Sequence, residues 1–333
     1  MFVGRDREMA DLVAGLEDAI RGRMRLLLVA GEPGIGKTWL AEHLAGQATT
    51  RGARVLWVRC WEGGGAPPFW PWAQLLRALA EDLDDQALAT RLGAGVGPMA
   101  QLVPGLGERL GTAAAPLAPS PPSDAARFAL FEVITGFLRR SAAVRPLALV
   151  IEDLQAADDA SLLLLEFLVR DVQGARLLVV GTYRNVTAER VHGIGDAVGQ
   201  LVREGQLLML RGLDRREVRE LIEAISGNTP SEAMAAAVYE ATEGNPLFVR
   251  ETVRLLATEV TLADPGQLRV PLSGSVGTVI GRRLAPLSAD AVLVLSAAAV
   301  VGRAFDLSLV GRASTCRSSG SWAGCRRRRP WRW

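Results

Sequence analysis

Eight consecutive residues carry the clearest chemistry in the chain: Gly31-Glu-Pro-Gly-Ile-Gly36-Lys37-Thr38. They match the pattern Gly-x-x-x-x-Gly-Lys-[Ser/Thr] at every fixed position. Gly31, Gly34 and Gly36 let the backbone turn so that successive N–H groups point at phosphate oxygens. A helix starting near Lys37 adds its positive dipole end. Lys37 supplies a compact positive charge for the β/γ-phosphates of a nucleoside triphosphate, and the Thr38 hydroxyl can ligate Mg²⁺. The nucleotide-contacting residues expected here are Gly31, Glu32, Pro33, Gly34, Ile35, Gly36, Lys37, Thr38 and Trp39.

Such a loop needs acids on the metal side. Leu147 to Asp153 (LALVIED) reads as a buried strand ending in two carboxylates. At the C-terminal edge of a parallel sheet these would sit beside the phosphate loop. Glu152 is expected to hold Mg²⁺ through water, and Asp153 to orient the attacking water. The bland alternative is a strand that merely ends in solvated acids. Thr182-Tyr183-Arg184 follows another apolar strand, where Arg184 either senses a γ-phosphate or lies on an exposed loop. Gly244-Asn245-Pro246 is either a plain turn between helices or a turn facing the nucleotide.

The elements that must position these residues follow from periodicity. Residues 5–22 place Met9, Leu12, Val13, Leu16 and Ile20 at helical spacing. Strands are expected at 25–30, 54–59, 147–153, 175–181 and 206–210, with helices at 38–48, 73–83, 124–140 and 158–172. Residues 93–122, rich in Gly and Pro, are expected to form a flexible surface loop. From Asp214 the pattern is helical: 214–226, 231–242, 247–259, 275–285 and 288–301. The expected fold class is α/β, a parallel sheet sandwiched by helices.

Composition narrows the function. Of 38 basic residues 37 are Arg, and Lys37 is the single Lys. Residues 1–306 carry 31 basic and 36 acidic side chains, a net of −5, so the overall +2 comes from seven Arg after Asp306. A general nucleic-acid surface is not indicated. Cys60, Cys316 and Cys325 make no disulfide framework or zinc spacing, and His43 and His192 make no metal cluster. The longest apolar run, Ala291 to Val301, is 11 residues with Ser296 inside it, against about 20 for a membrane span. The N-terminus lacks the apolar stretch of a signal peptide, so a cytoplasmic location is expected.

Taken in order, Phe2-Val3-Gly4-Arg5-x-x-Glu8, the glycine-rich loop, RCWEGGGAPPFWPWAQLLRAL, IEDLQAADDASLLLLEFL, GTYR and EGNPLFVRETVRLL resemble the ATPase module of large bacterial LuxR-type (MalT-related) transcriptional regulators. These are STAND-class signalling P-loop ATPases with an AAA+-like fold, and the resemblance spans about residues 1–312. It implies that Phe2, Val3, Gly4 and Arg5 border the adenine, that Gly31–Thr38 is Walker A and Glu152–Asp153 Walker B, that Arg184 is the first sensor, and that Pro246 belongs to a lid turn near the nucleotide. The implied organisation is a P-loop ATPase core at 1–210, a helical lid at 211–266, a partial winged-helix region at 267–312 and a basic tail at 313–333.

The chain departs from the family in one motif. Asp-Leu-His-Trp-Ala-Asp is common after the strand, whereas this chain has Asp153-Leu-Gln155-Ala156-Ala157-Asp158, which is expected to remove a polar and an aromatic contact near the site. The tail is either a basic aromatic peptide suited to phosphate backbones or the product of out-of-frame translation. The family pattern breaks off just inside the winged-helix region, so the module is expected to be truncated.

The function implied is an ATP-binding signalling switch with slow hydrolysis, using ATP and Mg²⁺. A motor or loader ATPase of the AAA+ type, or a non-functional fragment, are the alternatives. Self-association on ATP binding is the expected partnership. Neither membrane binding nor sequence-specific DNA binding by this chain alone is expected.

Overall fold

The structure is a computed structural model that describes residues 3–63, 65–111, 124–184 and 194–260, together with 292, 295 and 296. In chain order the elements are α1 (Asp6–Ile20), β1 (Arg25–Gly31), α2 (Lys37–Thr50), β2 (Arg54–Arg59), α3 (Trp70–Glu81), α4 (Asp85–Leu92), α5 (Val96–Leu102), α6 (Leu106–Arg109), α7 (Asp124–Val144), β3 (Leu147–Glu152), α8 (Asp159–Asp171), β4 (Leu177–Arg184), α9 (Ile194–Glu204), β5 (Gln206–Met209), α10 (Arg215–Ser226), α11 (Glu232–Thr242) and α12 (Pro246–Val260).

Among the described residues the five strands are all parallel, in the order β2-β3-β4-β1-β5. A parallel sheet needs both faces covered, so its strands read as continuous apolar runs rather than alternating ones. The side-chain period of two divides each run between two cores. Leu26, Leu28, Leu56, Val58, Leu149, Ile151, Leu177 and Val179 enter one core, with side chains of α3 to α9. Leu27, Val29, Ala148, Val150, Leu178 and Val180 enter the other, with Leu12 and Leu16 of α1 and Leu40 and Leu44 of α2. This is the P-loop NTPase architecture of the AAA+ type. Because β1 lies between β4 and β5, the loop leaving its C-terminal end opens where strand order reverses, the place where such sheets bind ligands.

The described residues fall into two compact units. The described residues up to Glu217 with Asn245–Leu247 form the first, and Val218–Gly244 with the described residues from Phe248 onward the second. The second unit is helical where it is described. Its buried residues recur at helical spacing: Val218 and Ile222, Ala235 and Val238, then Val249, Val253 and Leu256.

Two expectations are corrected. Residues 93–109 are not a surface loop: a 3-10 turn at Gly93–Gly95 leads into α5 and α6, and Met99, Ala100, Leu102, Val103 and Leu106 are buried. Pro98 sits in the first turn of α5, where a missing N–H costs little, so the apolar spacing outweighs the Gly/Pro composition. The stretch 112–122 lies outside the described residues. The second correction concerns Thr182, Tyr183 and Arg184, which continue β4 rather than following it. Most of the expected helix at 288–301, all of that at 275–285, the winged-helix region and the tail also lie outside the described residues.

Candidate functional site

The loop from Gly31 to Gly36 joins the end of β1 to the start of α2. Gly34 (φ 80°) and Gly36 (φ 104°) hold backbone conformations that side chains disfavour. Lys37, the first residue of α2, is buried at 8% exposure, and its Nζ donates to Gly31 O at 2.8 Å and Glu32 O at 2.9 Å. The single Lys of the chain thus has its ammonium group against the loop itself. Ile35 is buried, Glu32 and Pro33 are exposed, and the Trp39 ring lies 4.0 Å from that of His43.

The end of β3 supplies the acids. Glu152 is 3% exposed, and a carboxylate so placed needs partners to offset lost hydration. It has four donors: Thr38 Oγ1 on one oxygen, and on the other Trp57 Nε1 at 3.1 Å with Arg59 Nε at 3.1 Å and Nη2 at 2.8 Å. Trp57 and Arg59 share one face of β2 by the period of two, and strand register sets Arg59 beside Glu152. Sequence reasoning missed both. The available signal was two polar-tipped side chains at i, i+2 in RVLWVR, a strand matched in length to LALVIE.

Asp153 turns off the strand with φ 57°, and its backbone N–H donates to Thr182 Oγ1 at 3.1 Å. Its carboxylate accepts from Gln155 Nε2 at 3.1 Å and lies 3.5 Å from Arg59 and 3.8 Å from Arg184. Arg184 is 20% exposed and donates to Glu62, while its backbone N–H donates to Gln155 Oε1 at 3.1 Å. The expected loss of a polar contact at position 155 is therefore corrected: a Gln amide, with a donor and an acceptor, bonds on both sides. Beside this cluster Cys60 is buried, and burial first, then the charges of Asp153 and Asp158, pushes its thiol up to about 12.

Other expected residues lie around the loop. Arg5 is buried, donating to Glu8, to Ile35 O at 3.3 Å and to Arg211 O, while Val3 and Gly4 before it are half-buried. Phe2 lies outside the described residues. Pro246 is half-buried and, having no N–H, makes no polar contact with the loop through its backbone nitrogen. Those contacts come from its neighbours: buried Asn245 donates to Pro33 O at 3.1 Å, and Leu247 N donates to Gly34 O at 3.3 Å.

The donor set suits Mg²⁺ shared with a phosphate. Among the described residues no group of three or more His, Cys, Asp or Glu could hold a metal alone. Magnesium bound with substrate phosphates keeps several waters and needs only one or two protein oxygens. Thr38 Oγ1 and the Glu152 carboxylate, in contact with each other, could provide them.

A family model described as the AAA ATPase domain matches residues 1–180, more than half of the chain. The chain belongs to the AAA ATPase domain family. Family membership implies nucleotide binding. No curated protein matches the chain.

Among solved structures, a STAND protein with a tetratricopeptide repeat sensor from Pyrococcus horikoshii is 18% identical with a TM-score of 0.47, covering 89% of this chain and 34% of its own. The ORC1 protein of Aeropyrum pernix in complex with DNA is 15% identical with a TM-score of 0.44, covering 95% and 77%. Cdc6p of Pyrobaculum aerophilum is 13% identical with a TM-score of 0.47, covering 94% and 81%. This AAA ATPase chain spans about a third of the length of the STAND protein.

Proposed function

We propose that this AAA ATPase chain is the ATP-binding switch module of a LuxR-type transcriptional regulator of the STAND class, hydrolysing ATP slowly to reset. The observation that carries the reading is the convergence on one loop. Thr38 is bonded to the buried Glu152, Lys37 lies within the loop, and Asn245 and Leu247 bond to Pro33 and Gly34. Lys37 and the loop N–H groups would hold the phosphates. Thr38 and Glu152 would hold Mg²⁺, which when bound neutralises charge on the β/γ-phosphates. Asp153 would orient water, and Arg184 would distinguish the terminal phosphate. A ligand shifts such a module only by contacts that differ between its states, and the γ-phosphate contacts of Lys37 and Arg184 supply them.

The proposal includes the ATPase core to residue 210, the lid at 211–266, the partial winged helix at 267–312, a cytoplasmic location and self-association on ATP binding. Among the described residues no helix is long and apolar enough to cross a membrane.

Lys37→Ala tests the site. Removing charge-assisted contacts of about 1.5–3 kcal/mol each should weaken ATP binding by about a hundredfold or more, measured by calorimetry. Unchanged affinity would overturn the assignment. Turnover that rises steeply with protein concentration would overturn the switch in favour of a motor.

A further inference from the structure

The segment after β2 brings to Arg184 a carboxylate that has no part in the hydrolysis proposed above. Glu62 lies three residues beyond Arg59, the last residue of β2, and its Oε1 accepts from Arg184 Nη2. Gln155 ties the pair into the acidic end of β3. Its Nε2 donates to Asp153 Oδ1 at 3.1 Å and to Glu62 Oε1 at 3.4 Å, and its Oε1 accepts the Arg184 backbone N–H at 3.1 Å. That last bond fixes the amide orientation, because only the oxygen can accept. In the strand register Arg184 pairs with Gly31, the first residue of the phosphate loop, across a spacing of about 4.8 Å. The guanidinium of the residue paired with Gly31 is therefore engaged by an acid from a different strand connection.

The surrounding charges explain what Glu62 can do. Arg184 faces the carboxylates of Glu62 and, at 3.8 Å, Asp153, while Glu152 and Asp153 already have Arg59 as a cation. Glu62 takes Nη2 of the Arg184 fork, so a phosphate that uses that nitrogen competes with Glu62 for it. A nucleotide without a terminal phosphate brings no such competitor.

We propose that Glu62 is a positioning residue that holds Arg184 until a terminal phosphate competes for it, so that Glu62 sets the preference of the site for triphosphate over diphosphate. This rests on the reading of Arg184 and the loop as a triphosphate site. It adds that the preference is held down by an internal acid rather than set by Arg184 alone.

The experiment is calorimetric titration of the full chain with Mg²⁺ plus either ADP or a non-hydrolysable ATP analogue. Glu62→Gln keeps the shape of the exposed side chain and removes its charge, and circular dichroism checks the fold. It should tighten the ATP analogue about three- to fivefold, the scale of a partly exposed ion pair, and leave ADP within about twofold. Arg184→Gln should weaken the analogue, and adding Glu62→Gln to it should change nothing further. Equal effects on both nucleotides, an effect that persists without Arg184, or no effect would overturn the role of Glu62. If the wild-type chain binds neither nucleotide, the triphosphate site falls and Glu62 with it. If it binds both, Lys37→Ala loses both and Glu62→Gln leaves their ratio unchanged, only the role of Glu62 falls.

Discussion

Gly34→Ala tests whether the turn at Asn245–Leu247 rests on the phosphate loop. The φ of 80° costs an alanine about 1–2 kcal/mol. A Cβ at this position would also lie 2.7 Å from Leu247 Cβ, 2.8 Å from Leu247 Cδ2 and 3.1 Å from Asn245 Oδ1. The Cδ2 atom can rotate aside, but Cβ follows the backbone, so the turn or the loop must shift. Either shift loosens the hydrogen bonds from Asn245 to Pro33 and from Leu247 to Gly34, at about 1 kcal/mol each.

Gly36→Ala is the internal control. Its φ is 104°, yet an added Cβ meets nothing within 4 Å, so it carries the backbone term alone. Gly34→Ala should therefore cost about 2 kcal/mol more than Gly36→Ala. At about 2–4 °C per kcal/mol, its thermal midpoint should lie about 4–8 °C lower, read by circular dichroism. Leu247→Gly in the Gly34→Ala background removes both close atoms and should recover most of that difference, after its own helix cost of about 1 kcal/mol is subtracted. Equal midpoints for Gly34→Ala and Gly36→Ala would refute the contact.

Two further predictions concern the acids and the thiol. Arg59→Ala should destabilise by about 1–2 kcal/mol in urea unfolding, since the donors then left on Glu152 among the described residues, Thr38 and Trp57, are neutral, with the value held down by the exposure of the Arg head. Arg59→Lys, lacking the planar fork, should recover less than half of that loss. Cys60 in a Cys316→Ser, Cys325→Ser background should resist alkylation at pH 8 until the protein unfolds. Its folded pKa, about 12, is above the ordinary 9.0, so its contribution is fully present below pH 9 and is lost as pH rises toward 12. The urea midpoint of wild type should accordingly fall more steeply than that of Cys60→Ala between pH 9 and 11.

The strands β1, β3 and β4 were legible because, buried on both faces, they need continuous apolar runs, and such runs stand out against Gly, Pro and charged neighbours. Their ends were less so. Arg184 reads as a loop residue because Thr182-Tyr183-Arg184 leaves the apolar run, yet pairing with Val29–Gly31 extends β4 through all three. Residues 93–109 were misread for the opposite reason. Gly and Pro there signal a loop, but Met99, Leu102 and Leu106 enter the core, with α5 packed against α4 and α7. At the Asn245-Pro246 turn the distinctive residue was Pro246, while the hydrogen bonds to the loop belong to Asn245 and Leu247.

By itself the sequence determined what contiguous residues can encode. It specified the glycine spacing of the phosphate loop, the lone Lys37 and Thr38 at the head of a helix, and an apolar strand ending in two acids. Each rests on local backbone geometry or hydrophobic periodicity. Only the tertiary structure decided who meets these groups. Glu152 is held by Trp57 and Arg59, 95 and 93 residues earlier in the chain, and Arg184 by Glu62, 122 residues earlier. Those partners follow from strand order and register, which set β2 beside β3 and Gly31 beside Arg184. Register is a property of the assembled sheet, and no local run of residues states it.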